Sequence, residues 1–272
     1  GTTNATITFT NASSTGNFSG GIVADAFDNA VMNLNVTNST SSGNNDQLSV
    51  SAGDNSDVEL VASGNTLSSV ASGDFVVVSL LGSAFDNGFV LDANLSNNTI
   101  SVANGLTADG IISFNAGGGA MNIAITGNTI NYAGTQRAII FQAGQDGSGS
   151  TNATVTGNII DIQLDGTGNA VTGILAQSAI TGPGNTSSMC ADIGGAGALS
   201  NTFTHSLGGT MAGGDIRVRQ RNDGTVRLPG YVGAATDFTA VINFLNGRNV
   251  EISSSTATGD SSGFAGGAAC TQ

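Results

Sequence analysis

The sequence contains no lysine and no tryptophan, and it holds one histidine, two prolines and two cysteines among 272 residues. Without lysine, six arginines face 19 acidic residues, and the formal net charge is −13. DNA and RNA binding need a basic footprint over the phosphates, and so does polybasic attachment to anionic lipid, so both classes are excluded. With Tyr132 and Tyr231 as the two tyrosines, few aromatic platforms remain for stacking on sugar rings. Long apolar runs are also missing. The longest, from Phe75 to Phe85, is interrupted by Ser79, Gly82 and Ser83 and falls short of the ~18 residues a membrane helix needs.

What is present is glycine, 41 residues of it, with abundant Asn, Ser and Thr. Such a mixture can mean disorder, but 39% of the residues are hydrophobic and only 9% charged, enough apolar surface for a core. Short apolar runs between Gly/Asn/Ser clusters indicate many short strands and turns. The cysteines, Cys190 and Cys270, are expected to form a disulfide. Closing a loop of that size stabilises by about 4 kcal/mol in the chain-entropy model. Such a bridge implies an oxidising, extracellular or periplasmic setting. No signal peptide is seen in the sequence, and a start at Gly1 is compatible with the expectation that a leader has been removed. Two cysteines and the distant His205 lack metal-ligand spacing.

An internal repeat is the main signal. Six segments align without gaps, starting at Ile7, Leu34, Leu60, Ala93, Ile123 and Ala153, with spacings of 27, 26, 33, 30 and 30 residues. Their first and third positions are apolar, the period of a strand with one buried face. The fourth is Ser or Thr, and the fifth is Asn or Gly, the residues that most readily turn a chain through the left-handed region. After the turn, Leu67, Ile100, Ile130 and Ile160 face inward again. A second strand recurs at Gly21–Ala24, Leu48–Val50, Phe75–Val78, Ile111–Phe114, Ala138–Phe141 and Val171–Leu175, with a last copy at Asp215–Arg219.

One such coil cannot bury its apolar face, but coils stacked ~4.8 Å apart share a core. Stacking places Asn65, Asn98, Asn128 and Asn158 in a ladder whose amides satisfy corner backbone groups. The expectation is an all-β parallel solenoid of about seven to eight coils, a rod roughly 35–40 Å long. An antiparallel sandwich would not repeat residue roles at fixed register. Residues 1–185 form the regular coils. Residues 186–272 form the last coils and a disulfide-stapled cap with one short helix from Asp237 to Asn246, capped by Thr236 or Asp237 and ended by Gly247.

The motif apolar-Ser/Thr-Gly/Asn-Asn-Thr/Ile-Ile, followed by Gly-Ile-Ile or Ala-Ile-Ile, resembles the repeats of right-handed parallel β-helix proteins of the pectate-lyase-like class. The resemblance covers about residues 1–185. Residues 186–272, with Asp215–Arg221, Val226–Tyr231 and Gly266–Cys270, look like the C-terminal ends of β-helical modules in very large bacterial surface proteins. The class includes lyases, hydrolases, tailspikes and adhesins, so it implies a fold more than a function.

Catalysis of the hydrolase kind needs paired carboxylates. Asp161 with Asp165, or Asp54 with Asp57, could be neighbours, but no Asn-Thr-Asp, Asp-Asp or Gly-His-Gly signature of the pectin hydrolases is present. The resemblance implies an Arg or Lys base beside calcium-binding aspartates for a lyase. The arginines available, Arg217, Arg219 and Arg221, sit in the predicted last strand, with alternate positions facing one side. They are anion or acidic-glycan contacts, or they form surface ion pairs with Asp215, Asp223 or Asp237, or they dock the capping segment. Asp46, in the segment Gly43–Leu48, together with Asp54 and Asp57, are weak structural-calcium candidates, and turn formation accounts for such residues at corners. No other cofactor is expected. The column Thr10, Thr37, Ser63, Ser96, Thr126 and Thr156 lacks the second Thr column of an ice-binding face. His205 is expected to be a surface or turn residue.

The reading is therefore a non-catalytic, secreted structural or adhesive module, with other copies or neighbouring modules as partners at its coil ends. The alternative is a polysaccharide-binding or polysaccharide-degrading protein.

Overall fold

The computed structural model describes residues 2–17, 20–70, 76–83, 88–144, 148–163, 171–182, 184–207, 213–260 and 262–271. Its strands follow one another in threes. The first coil holds β1 (Asn4–Thr10), β2 (Ser13–Thr15) and β3 (Ile22–Ala26). The second holds β4 (Val31–Thr37), β5 (Thr40–Ser42) and β6 (Asp46–Ala52). The third holds β7 (Asp57–Ser63), β8 (Thr66–Ser69) and β9 (Val76–Gly82). Next come β10 (Val90–Ser96), β11 (Thr99–Val102) and β12 (Asp109–Asn115), then β13 (Ala120–Thr126), β14 (Thr129–Tyr132) and β15 (Arg137–Ala143). They are followed by β16 (Ser150–Thr156), β17 (Ile159–Ile162) and β18 (Thr172–Ser178). Beyond residue 185 the pattern continues with β19 (Ser188–Ile193), β20 (Thr202–Thr204) and β21 (Gly214–Gln220). After β22 (Thr225–Arg227) the chain enters α1 (Phe238–Asn246) before β23 (Ser255–Gly259) and β24 (Phe264–Ala265).

Every pairing among these strands is parallel, and each strand pairs with its equivalents in the neighbouring coils. Three sheets result, of nine strands from β1 to β24, seven from β2 to β20, and eight from β3 to β23. The chain is a parallel β-solenoid. The strands beginning at the six aligned repeats share the first sheet in the register the repeat predicts: Ile7 stands beside Leu34, Leu34 beside Leu60, Leu60 beside Ala93, Ala93 beside Ile123 and Ile123 beside Ala153. The inward residues after the corner form the second sheet, so Leu67, Ile100, Ile130 and Ile160 are stacked and fully buried.

The corners explain the Asn/Gly position. Asn11, Asn38, Gly64, Asn97, Gly127 and Gly157 all adopt positive φ, between 49° and 68°. Asn tolerates that region and Gly enters it freely. At Gly64 a side chain would also be obstructed, because a Cβ there would stand 2.6 Å from Oδ1 of Asn38 in the preceding coil.

In the third sheet the apolar runs are nearly continuous, and burial on both faces accounts for them. Ile139 and Phe141 join the central core, whereas Ile140 and Leu175 on the opposite face are also buried, at 1% and 6% exposure. At the C-terminal end α1 is inserted between β22 and the following corner, beyond which Val250 bridges Thr202 of β20. Asp237 caps it by accepting from Ala240 N–H, which settles the cap between Thr236 and Asp237. Gly247 follows in right-handed conformation, with φ −69°. Val241 and Leu245 are fully buried, and Phe238 packs edge-on against Phe264 at 6.1 Å between ring centroids. Cys190 of β19 is joined to Cys270 by the expected disulfide, with Cα atoms 5.6 Å apart. Among the described residues no helix is long and apolar enough to cross a membrane.

Candidate functional site: an arginine-lined groove

Arg217 and Arg219 lie on β21, a strand whose inward positions are Ile216 and Val218, both fully buried. Alternation therefore turns both arginines outward, ~6.6 Å apart along the strand. Arg221 follows one residue beyond the strand. The three line an open groove of about 420 Å³ together with Ile180, Gln220, Asn222 and Thr258. Asp260 also borders it, and its Oδ2 accepts from Asn222 N–H at 3.0 Å.

Among the described residues the ion pairs expected for these arginines with Asp215, Asp223 or Asp237 do not form, and each of those carboxylates has another partner. Asp215 is fully buried; its Oδ1 lies 2.8 Å from His205 Nε2, and its Oδ2 accepts from the Ser253 backbone N–H at 2.6 Å, the Ser253 hydroxyl at 2.9 Å and Ser254 N–H at 3.2 Å. Asp223 accepts from Gly184 N–H at 2.9 Å, and Asp237 caps α1. His205, expected as a surface or turn residue, immediately precedes the turn after β20 and is part-buried against Asp215.

The other three arginines are used structurally. Arg137 makes a two-pronged contact with Asp109, at 2.8 Å and 2.6 Å. Burial still holds the Asp109 carboxyl above its ordinary pKa, with the Arg137 hydrogen bonds and charge opposing. Arg248 pairs with Asp192, donates to the carbonyls of Ile193 and Gly194, and lies 5.2 Å over the Phe244 ring. Arg227 donates to the Ala268 and Ala269 carbonyls, holding the tail that carries Cys270. Among the described residues, the side chains of Arg217, Arg219 and Arg221 make no hydrogen bond or ion pair. The Nε of Arg217 is buried without an acceptor. Partial burial first, and the like charge of Arg221 second, lower the pKa of Arg217 below the ordinary guanidinium value.

A second polar site was not singled out from the sequence. Glu59 of β7 and Asp92 of β10 are register partners on the outer face of the first sheet. Asn122, the next residue in that column, donates to Asp92 at 2.6 Å, and Asn152 donates to Asn122 at 2.8 Å. Glu59, Asp92, Asn94 and Asn122 line a shallow depression of about 180 Å³. The repeat implied the pair, since Glu59 and Asp92 each stand one residue before the aligned Leu60 and Ala93.

The calcium candidates are not brought together. Asp46 begins β6 in the third sheet, and Asp57 begins β7 in the first. Asp54 and Asn55 both have positive φ, at 51° and 62°, as turn residues do. Among the described residues no group of three or more His, Cys, Asp or Glu side chains is arranged to hold a metal. Around Asp46, Asn44 instead donates to Ser41 and Gln47, at 2.9 Å and 3.0 Å. Of the proposed carboxylate pair Asp161–Asp165, Asp165 lies outside the described residues. Burial pushes the Asp161 carboxyl up, but hydrogen bonds from Gln163, Ser206 and Thr204 outweigh it and hold the pKa below the ordinary value.

The asparagine ladder is longer than the four residues read from the repeat. Each Oδ1 accepts from the backbone N–H and the side-chain amide of the preceding member through Asn65, Asn98, Asn128, Asn158, Asn201 and Asn249. Ser39 begins it by donating its N–H to Asn65 Oδ1 at 2.9 Å. The signal for Asn201 was present, since Asn201-Thr202-Phe203 repeats the pattern of Asn98-Thr99-Ile100. Compared with protein-family models, curated proteins and solved structures, the chain matches none.

Proposed function

We propose that the chain is a non-catalytic extracellular structural and adhesive module whose rigid rod presents contact surfaces. The observation that carries this reading is the ladder from Ser39 to Asn249, which ties seven successive levels of the rod together through buried hydrogen bonds. Buried polar groups placed coil on coil stiffen the rod along its axis and fix its register. The Cys190–Cys270 bridge supports an oxidising location.

Contact with other copies or neighbouring modules at the coil ends belongs to the same reading. β1 pairs on one side only, with β4, and Val23 and Phe27 on the first coil are 52% and 44% exposed. An unpaired edge is a template for another chain. Charge is also unevenly distributed along the axis. Every arginine lies at residue 137 or beyond, while ten of the 19 acidic residues precede it. An acidic end and an arginine-bearing end favour head-to-tail over head-to-head contact.

The Glu59–Asp92 pair favours a second reading, action on a polysaccharide. Retaining and inverting hydrolases both need two carboxyl groups flanking the bond, ~5 to 9 Å apart. Incubation with neutral and acidic polysaccharides, followed by reducing-end and unsaturated-product assays, separates the two readings. The proposal predicts no product. Product that disappears in Glu59→Gln and in Asp92→Asn would replace it with the enzymatic reading.

A further inference from the structure

We propose that the groove formed by Arg217, Arg219 and Arg221 is an anion-binding site for a polymer bearing several sulfate or phosphate groups. The inference deepens the adhesive reading and rests on it. Three guanidinium groups line one groove on the outer side of β21 and the residue that follows it, and none has an acidic or carbonyl partner among the described residues. Guanidinium groups left unpaired beside one another repel, and an oxyanion removes that repulsion while accepting two parallel hydrogen bonds from each fork.

The contrast with the other arginines sharpens the argument. In this chain Arg137, Arg227 and Arg248 are each bound by a carboxylate or by backbone carbonyls. With 19 acidic residues available to six arginines, unpaired arginines are not a result of scarcity. The carboxylates nearest in sequence are turned away to Ser253, Gly184 and Ala240. The buried Arg217 Nε has no acceptor, and an orphaned buried donor costs free energy that a ligand oxygen would recover. Gln220 is unavailable for that purpose, since its amide donates to the Asn222 and Gly224 carbonyls and its Oε1 accepts from Asp260 and Gly263.

The shape selects a polymer over a small ion. The groove is open along its length, and its arginines come from alternate positions 217, 219 and 221, a row that suits successive charges along a chain. Asp260 is the one carboxylate in the lining, so three positive charges outweigh it locally although the whole molecule is strongly negative. That net charge makes the test discriminating, because a protein at −13 is repelled by polyanions unless a defined site overcomes the repulsion.

The experiment is affinity electrophoresis of the whole chain through gels containing dextran sulfate, polyphosphate or neutral dextran, at several salt concentrations, with product release assayed in parallel. The expected result is retardation by the sulfated or phosphorylated polymer, none by neutral dextran, and weakening as salt rises. The double variant Arg219→Ala/Arg221→Ala should lose at least tenfold in affinity. Arg219→Lys/Arg221→Lys, which keeps the charge but not the fork, should lose an intermediate amount. Binding to one polyanion and not the other assigns the anion. Absence of retardation, or retardation equal in the alanine variant, overturns the site. Depolymerisation overturns the non-catalytic reading instead, and does so whether or not the arginines matter.

Discussion

Asn128 Oδ1 accepts two hydrogen bonds from Asn98, one from its backbone N–H and one from its side-chain amide, both 2.9 Å long. The Asn128 amide in turn donates to Leu95 O at 2.9 Å and to Asn158 Oδ1 at 3.0 Å. One side chain thus satisfies backbone groups at a corner and links to the members on either side, in a site only 1% exposed.

Asn128→Ala leaves the Asn98 N–H, the Asn98 amide and the Leu95 carbonyl without these partners. At about 1–3 kcal/mol for each buried orphan, the expected loss is at least about 3 kcal/mol by urea unfolding. Asn122→Ala on the outer face, where water replaces the lost bond, should cost under about 1 kcal/mol. Equal losses at the two positions would contradict the ladder's role.

Asp46 gives a pH-dependent prediction. Burial raises its pKa above the ordinary carboxyl value. A folded-state pKa above the unfolded one means that ionisation opposes folding: the penalty is present in full above the folded pKa and absent below the unfolded one. Asp46→Asn should therefore raise Tm at pH 7 and leave it unchanged at about pH 3, below the unfolded carboxyl pKa. A shift of the same size at both pH values would show that the charge is not responsible.

The tail is fixed by Cys190–Cys270, which spans 80 residues, and by Arg227 on the Ala268 carbonyl. Cys190→Ser/Cys270→Ser should lower stability by about 4 kcal/mol in the chain-entropy model. Limited proteolysis should show cleavage near residue 270 before any in the central coils. An unchanged melting curve would mean that β22, β24 and α1 hold the tail without the bridge.

Much of the fold was legible because two local rules repeat together. Alternation at Leu34/Val36 and Ile123/Ile125 marks an inward face, and a left-handed residue at Asn38 and Gly127 marks the corner. Asn249 was hidden because α1 separates it from the repeat that would have announced it. For the arginines, alternation gave the direction of Arg217 and Arg219, but sequence neighbours misled on their partners. Asp215 precedes Arg217 by two residues yet faces His205, Ser253 and Ser254, groups brought in by other coils. Glu59 and Asp92 differ, since the alignment of Leu60 with Ala93 already implied that the preceding residues are adjacent.

The most direct test of the structural account is negative-stain electron microscopy with sedimentation velocity on the purified chain over a wide concentration range. Nine first-sheet strands at ~4.8 Å spacing make a unit roughly 40 Å long. The account predicts end-to-end fibres of uniform width that lengthen with concentration and shorten when Val23 and Phe27 on the first coil are changed to aspartate. Isolated rods of single-unit length and a constant sedimentation coefficient at every concentration would contradict it.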